Sequence, residues 1–278
     1  MRPVKSAGRS RWRAYRDDVA LPEFTMAFQP IVDIETGTTY AQEALVRPSG
    51  GGSAADILGQ IGTRSLYAFD QQCRLKALTL AASLGMRSFM HINFLPNAVY
   101  QPEDSVQETL YAAERAGFPL DNLVFEVTER ERARDSQHLR AILREYRCHG
   151  MMSAIDDFGT ASSGLNLAAD FQPDIVKIDM GLTRGIESDR VRRAITRYVV
   201  GLCRELDITV IAEGVETLAE AVTLRELGVR LCQGYLFARP ALERLPAPTA
   251  GVIAAIHAMR SVEAQDPSDS PLGPARVR

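Results

Sequence analysis

The feature that limits this chain most is a repeat: short apolar runs, each ending at or near a polar side chain, alternate with helix-like stretches along most of its 278 residues. Reading those polar residues in order gives Glu43, Asn93, Glu126, Asp156 with Asp157, Lys177, Glu213 and Gln233. An unpaired carboxylate in an apolar setting must neutralise or find a cation. Any one of these residues alone reads as a helix cap or an ion pair, and the adjacent aspartates alone read as a turn. Their recurrence at one end of seven successive runs points instead to convergence on a bound metal.

Candidate strands are Met26–Ile34, Tyr40–Arg47, Phe89–Phe94, Leu123–Thr128, Ser153–Phe158, Ile175–Asp179, Thr209–Glu213 and Leu231–Phe237. Helical candidates are Leu66–Leu84, Ser105–Ala116, Ser136–His149, Asp189–Leu206 and Thr217–Leu227. In the fourth of these, Val191, Ile195, Val199, Leu202 and Leu206 repeat at helical spacing, a stripe expected to lie on a sheet. Eight strands with helical crossovers fit an α/β fold of the (β/α)8 TIM-barrel type, with a doubly wound open sheet as the alternative. Only Glu35–Thr39 separates the first two strands, too little for a parallel crossover and enough for a hairpin. The expectation is a (β/α)8-like barrel with an antiparallel first strand. Its C-terminal rim, where active sites of such barrels lie, would gather the polar residues named above.

Composition sets the outer limits. With 46% hydrophobic residues the bulk of the chain builds a core, and a net charge of -3 selects neither a nucleic-acid polymer nor a strongly anionic surface as partner. No run has the length and apolarity of a membrane span or a signal peptide, so a cytoplasmic location is expected. Cys73, Cys148, Cys203 and Cys232 lack the spacing of zinc or redox pairs and read as reduced thiols. His91, His138, His149 and His257 are scattered and read as structural. Residues 1–21 are expected to form a flexible basic leader, 22–262 the barrel and 263–278 a disordered tail, with no room for a second domain.

Oxygen donors with one carboxamide suit Mg²⁺ or Mn²⁺. Neighbouring aspartates also allow two ions to share a carboxylate, an arrangement suited to displacement at a phosphate ester. Lys177 adds to this, because the chain has only three lysines among its 32 basic residues and this one sits in an apolar run. Beside two ions its pKa would fall enough for it to orient or deprotonate a water. The alternative is an ion pair with Asp179 or another carboxylate.

These residues lead to a resemblance. The run Glu43-Ala44-Leu45-Val46-Arg47 is similar to the signature of EAL domains, phosphodiesterases of the bacterial second messenger cyclic di-GMP. Phe28-Gln29-Pro30-Ile31-Val32, His91-Ile92-Asn93, Phe125-Glu126-Val127-Thr128-Glu129, Ile155-Asp156-Asp157-Phe158-Gly159-Thr160, Val176-Lys177-Ile178-Asp179, Ile211 to Thr217 and Gln233-Gly234-Tyr235 resemble the family pattern in order, over about Pro22 to Pro240. The resemblance implies a barrel with an antiparallel first strand, a stand-alone EAL protein, and hydrolysis of cyclic di-GMP to linear pGpG. It implies that Glu43, Asn93, Glu126 and Asp156 ligate one Mg²⁺ or Mn²⁺ ion, with Asp156, Asp157 and Glu213 serving a second. Lys177, Glu213 and Gln233 would position water, Glu129 would brace the loop after the aspartates, and Gln29, Val46, Arg47, Glu216 and Tyr235 would hold the nucleotide. A homodimer and a regulatory protein partner are implied as well. One departure stands out: after Thr160 the family commonly continues with Gly, an aromatic residue, Ser, Ser and Leu, whereas this chain has Ala161-Ser162-Ser163-Gly164-Leu165. That loss favours a second reading, a catalytically impaired cyclic di-GMP receptor or protein-binding adaptor.

Overall fold

The computed structural model describes residues 21–63, 65–95, 102–128, 136–161 and 164–259. Glu129, the expected tail 263–278 and the expected leader up to residue 20 lie outside them, while Leu21 packs against the core. The chain enters through β1 (Phe24–Asp33), buried along its whole length, and returns antiparallel as β2 (Thr39–Pro48). Then follow α1 (Ala54–Leu58), α2 (Leu66–Ser83), β3 (Phe89–Asn93), α3 (Pro102–Ala116), β4 (Leu123–Thr128), α4 (Ser136–Cys148), β5 (Met152–Phe158) and α5 (Gly164–Phe171). The remainder is β6 (Ile175–Ile178), α6 (Met180–Thr183), α7 (Arg190–Glu205), β7 (Thr209–Ala212), α8 (Leu218–Glu226), β8 (Leu231–Gln233), β9 (Ala241–Leu242) and α9 (Val252–Ala258).

Strands β2 to β8 pair in chain order, each parallel to the next, and β1 closes the ring antiparallel to both β2 and β8. The result is the expected eight-stranded α/β barrel with its first strand reversed, and the short β9 pairs with β1 beyond it. The last barrel strand is shorter than expected, ending at Gln233 rather than Phe237. At Gly234 the backbone crosses Val215 so closely that a Cβ would sit 2.0 Å from the Val215 carbonyl oxygen, and the chain folds over it through Leu236 N–H to Val215 O (3.1 Å).

A second expectation holds only in part on α7, where Val199 of the expected stripe packs on the core. Thr196, Val200 and Cys203 are its buried residues, whereas Val191 (66% exposed), Ile195 (42%), Leu202 and Leu206 of the expected stripe face outward beside Tyr198 (80%). This helix carries apolar side chains on two faces, and periodicity alone does not say which of two stripes meets the sheet.

Beneath the rim, a buried ion pair ties three helices together. Arg74 on α2 pairs with Asp70 one turn earlier (2.7 Å) and donates to Thr109 on α3 (3.0 Å) and Tyr146 on α4 (2.9 Å). Asp70 also accepts the Leu95 backbone N–H (3.3 Å), two residues beyond Asn93. Burial pushes the Asp70 carboxyl up, and Arg74 opposes that shift. Arg74→Met strands this buried carboxylate and is expected to cost roughly 3–5 kcal/mol in urea unfolding. The double variant Asp70→Leu with Arg74→Met is expected to recover more than half of that loss.

Candidate active site

Strand alternation stacks the barrel interior in layers. Ile31, Ala41, Val124, Ala154, Ile175, Ile211 and Leu231 form one apolar cluster with Phe89 against it. Two residues further along each strand, on the same face, the side chains are polar: Glu43, His91, Glu126, Asp156, Lys177, Glu213 and Gln233, with Gln29 reached by stepping back along the reversed β1. An apolar plug thus supports a polar layer on every strand of the barrel.

Lys177 lies at the centre of that layer and is fully buried. Its Nζ is 2.8 Å from Glu213, 2.9 Å from Glu126, 3.0 Å from Asp156 and 3.3 Å from Glu43. Burial by itself would lower the pKa of this ammonium, but the surrounding carboxylates outweigh it and hold Lys177 well above the usual lysine range. The ion-pair alternative thus finds four carboxylates as partners, and the lowered pKa remains an expectation for the site with two ions bound. Asp179 is not among them; its side chain caps α6 through the Gly181 N–H (2.8 Å). Burial and mutual repulsion push Glu126 and Glu213 up while Lys177 pulls them down.

The paired aspartates pose a geometric problem, since successive residues of a strand point to opposite faces. The structure solves it with a bulge. Ile155 pairs with Val176 and Phe158 with Ile178, so β5 has one residue more than β6 over this stretch. Asp157 takes φ +55°, a left-handed conformation that aspartate tolerates better than most residues. Gly159 follows at φ +104°, where a Cβ would lie 2.6 Å from Leu182 Cδ1 on α6. Through this bend Asp156, Asp157 and Glu213 each bring an oxygen within 4.8 Å of the others. Ala161, where the family pattern has glycine, is not at positive φ, so that departure strains no backbone at this position.

The remaining expected residues divide. Asn93 donates to Glu43 Oε1 (3.2 Å), and Gln233 donates to Glu43 Oε2 (2.7 Å) and to Gln29 Oε1 (3.3 Å). Gln29 in turn donates to the Ala238 carbonyl (3.1 Å). Glu216 pairs with Arg184, whose hydrogen bond lowers its pKa, and Tyr235 is half exposed beneath the Arg239 guanidinium, 4.1 Å from its ring centre. Arg47 donates to the Val46 carbonyl (2.7 Å). Val46 is not brought to the interior: its side chain packs into the apolar cluster around Ala44 and Met26, because it lies an odd number of residues from Glu43.

His91, grouped in the sequence with structural histidines, proves to be part of the polar layer. It is fully buried, its Nδ1 lies 2.6 Å from Glu126 Oε1, and burial, followed by Lys177, holds its pKa well below the usual imidazole range. The signal available beforehand was its place two residues before Asn93, on the same strand face. Thr183 on α6 is a second residue missed, donating to the Glu213 carbonyl.

Three buried carboxylates and the partly buried Glu213 around one ammonium leave negative charge to be balanced, and the fully buried Glu126 Oε2 has no hydrogen-bond partner among the described residues. These oxygen donors, with the Asn93 carboxamide, fit a hard divalent cation.

Comparison with known proteins agrees with this geometry. Residues 12–240 match the family model described as EAL domain. The chain is similar to a standalone EAL protein of Vibrio cholerae O395 solved in a c-di-GMP-bound form, with 47% identity and a TM-score of 0.81 over 84% of this chain and 99% of that one. It is also similar to Klebsiella pneumoniae BlrP1, solved as a manganese/cyclic di-GMP complex, with 38% identity and a TM-score of 0.76 over 82% of this chain and 58% of that one. BluF of Escherichia coli K12, a blue light- and temperature-regulated antirepressor, is 31% identical over 221 residues, 79% of this chain. NbdA of Pseudomonas aeruginosa, a cyclic di-GMP phosphodiesterase, is 30% identical over 239 residues, 82% of this chain. The chain spans 55% of the length of BluF and 30% of that of NbdA. A reversed first strand, a polar layer closed around one lysine and a family match running from residue 12 to residue 240 together make this chain a member of the EAL domain family.

Proposed function

We propose that this chain is a metal-dependent phosphodiesterase that hydrolyses one phosphodiester bond of cyclic di-GMP, giving linear pGpG and lowering the level of this second messenger in bacterial signalling. The observation that carries the reading is the convergence of Glu43, Glu126, Asp156 and Glu213 on Lys177, with Asp157 turned toward the same rim. Glu43, Asn93, Glu126 and Asp156 would hold one divalent ion, and Asp156, Asp157 and Glu213 the other. Bound Mg²⁺ or Mn²⁺ supplies an acidified water and neutralises charge on phosphate oxygens. Lys177 orders the surrounding carboxylates and would orient or deprotonate the attacking water beside the bound ions. Gln233 holds Glu43 from the opposite side to Asn93. Gln29, Arg47, Glu216 and Tyr235 are assigned to the nucleotide and Glu129 to bracing the loop after Asp157, on the strength of the family resemblance.

The second reading, a receptor or protein-binding adaptor, draws on the altered loop at Ala161 and Ser162 and on the antirepressor role named for BluF. The homodimer belongs to the same proposal. The outward ridge of Val191, Ile195, Tyr198 and Leu202 on α7 is a large apolar surface for a monomer to leave in water, and a second copy of this chain is the partner assigned to it.

Purified protein with Mn²⁺ or Mg²⁺ is expected to convert cyclic di-GMP to pGpG, resolved by anion-exchange chromatography. Chelation should stop turnover and added metal should restore it. Lys177→Met is expected to lower kcat by at least about 10²-fold at saturating metal. Nucleotide binding without turnover in either metal, across protein concentration, would decide for the receptor.

The dimer is tested separately. Val191→Asp with Tyr198→Asp lies on exposed positions, so stability should change by less than about 0.5 kcal/mol per site. Sedimentation velocity should show a dimer for the parent chain and a monomer for the variant, and an unaltered sedimentation coefficient would assign the ridge another role.

A further inference from the structure

Glu126 is the most deeply buried carboxylate of the polar layer, and its two oxygens are treated differently. Oε1 lies 2.6 Å from His91 Nδ1 and 2.9 Å from Lys177 Nζ. Oε2, equally shielded from solvent, has no hydrogen-bond partner among the described residues. The two groups at Oε1 differ in kind. Lys177 presents a rotatable ammonium shared among four carboxylates, so it attracts Glu126 without selecting an orientation. His91 is a planar ring with one N–H direction, carried by β3 in register with Glu43 and held rigidly by burial. The terminal torsion of a glutamate is broad by itself, so a directional donor is what chooses which oxygen faces which way.

The cost side agrees. His91 Nε2 is buried and has no hydrogen-bond partner among the described residues, an expense that an aliphatic side chain in the same space would not incur. A histidine that only filled the barrel would be poorly suited to this position. Val124 lies beside His91 in the β3–β4 register, and Glu126 is two residues further on, so the pair meets diagonally across neighbouring strands on the inner face.

We infer that His91 is a positioning residue: its Nδ1–H fixes Oε1 of Glu126, so that Oε2 is the oxygen turned toward the divalent ion. This rests on the metal-dependent reading above and extends it to a residue that touches no ion itself, by the same logic through which outer hydrogen bonds orient the ligands of metal sites.

The test compares His91→Leu and His91→Phe, which lack the donor, with His91→Asn, whose amide N–H retains one near the Nδ1 position. Thermal unfolding identifies which variants fold, and the use of two apolar replacements of different shape guards against loss of either. Mn²⁺ affinity of the metal-stripped full chain is then measured by calorimetry without nucleotide, and kcat and KM for cyclic di-GMP are measured separately. The donor-less variants are expected to bind Mn²⁺ about 10–100-fold more weakly, with His91→Asn recovering most of the loss. Their KM for the nucleotide at saturating Mn²⁺ should stay within about 3-fold of the parent, a split that general loosening of the barrel would not produce. Equal Mn²⁺ affinity in parent and folded donor-less variants overturns the inference, as does a parent chain that binds no Mn²⁺. The affinity order is read without turnover, so failure of the phosphodiesterase reading and failure of this one are told apart.

Discussion

Four carboxylates meet one ammonium inside the barrel, and the rest of the site is arranged around that imbalance. Lys177 is fully buried, an environment that lowers the pKa of an ammonium, yet Glu43, Glu126, Asp156 and Glu213 surround it at 2.8–3.3 Å and favour its charged form. One cation does not balance four carboxylates. Such a layer fits a further cation, because buried ionised groups persist only when paired or bound to one. The apolar layer beneath, from Ile31 to Leu231, supplies the rigid floor and keeps water from that side.

A regular barrel does not deliver two adjacent carboxylates to one place. The extra residue in β5 and the left-handed backbone at Asp157 turn a strand's alternation into convergence. Strain of this kind is found where function requires it and the surrounding structure holds it in place. Here the support is close at hand: Gly159 lets α6 approach through Leu182, and Thr183 of the same short helix holds the Glu213 carbonyl. A six-residue link, 184–189, joins α6 to α7, whose apolar ridge faces outward, so the proposed dimer face and the proposed second metal site are near neighbours along the chain.

Particular residues show what can be read from order alone. The five-residue link Glu35–Thr39 forced a hairpin and so a reversed first strand, and the carboxylates at strand ends marked their own convergence, because a charged group in an apolar run has few physical explanations. Lys177 was recognisable as special, but its four partners were not, since ring closure brings them together from four different strands. His91 was passed over because a lone histidine in a strand is usually structural; only the diagonal pairing of β3 with β4 places it on Glu126. Val46 sat inside the motif that carries the resemblance, yet strand parity sends it to the helix layer.

The sequence by itself determined the alternation of strands and helices, the reversal of the first strand and the identity of the charged residues at the rim, and it favoured a barrel over an open sheet. These follow from local properties: run length, link length and the cost of an unpaired charge. Tertiary structure alone decided which stripe of α7 is buried, that Asp157 bends inward, that Lys177 meets four carboxylates and that one oxygen of Glu126 is held by His91. Each of these is a matter of which surfaces and charges meet across the fold, and such meetings are set by the closure of the whole ring, not by any one segment of the chain.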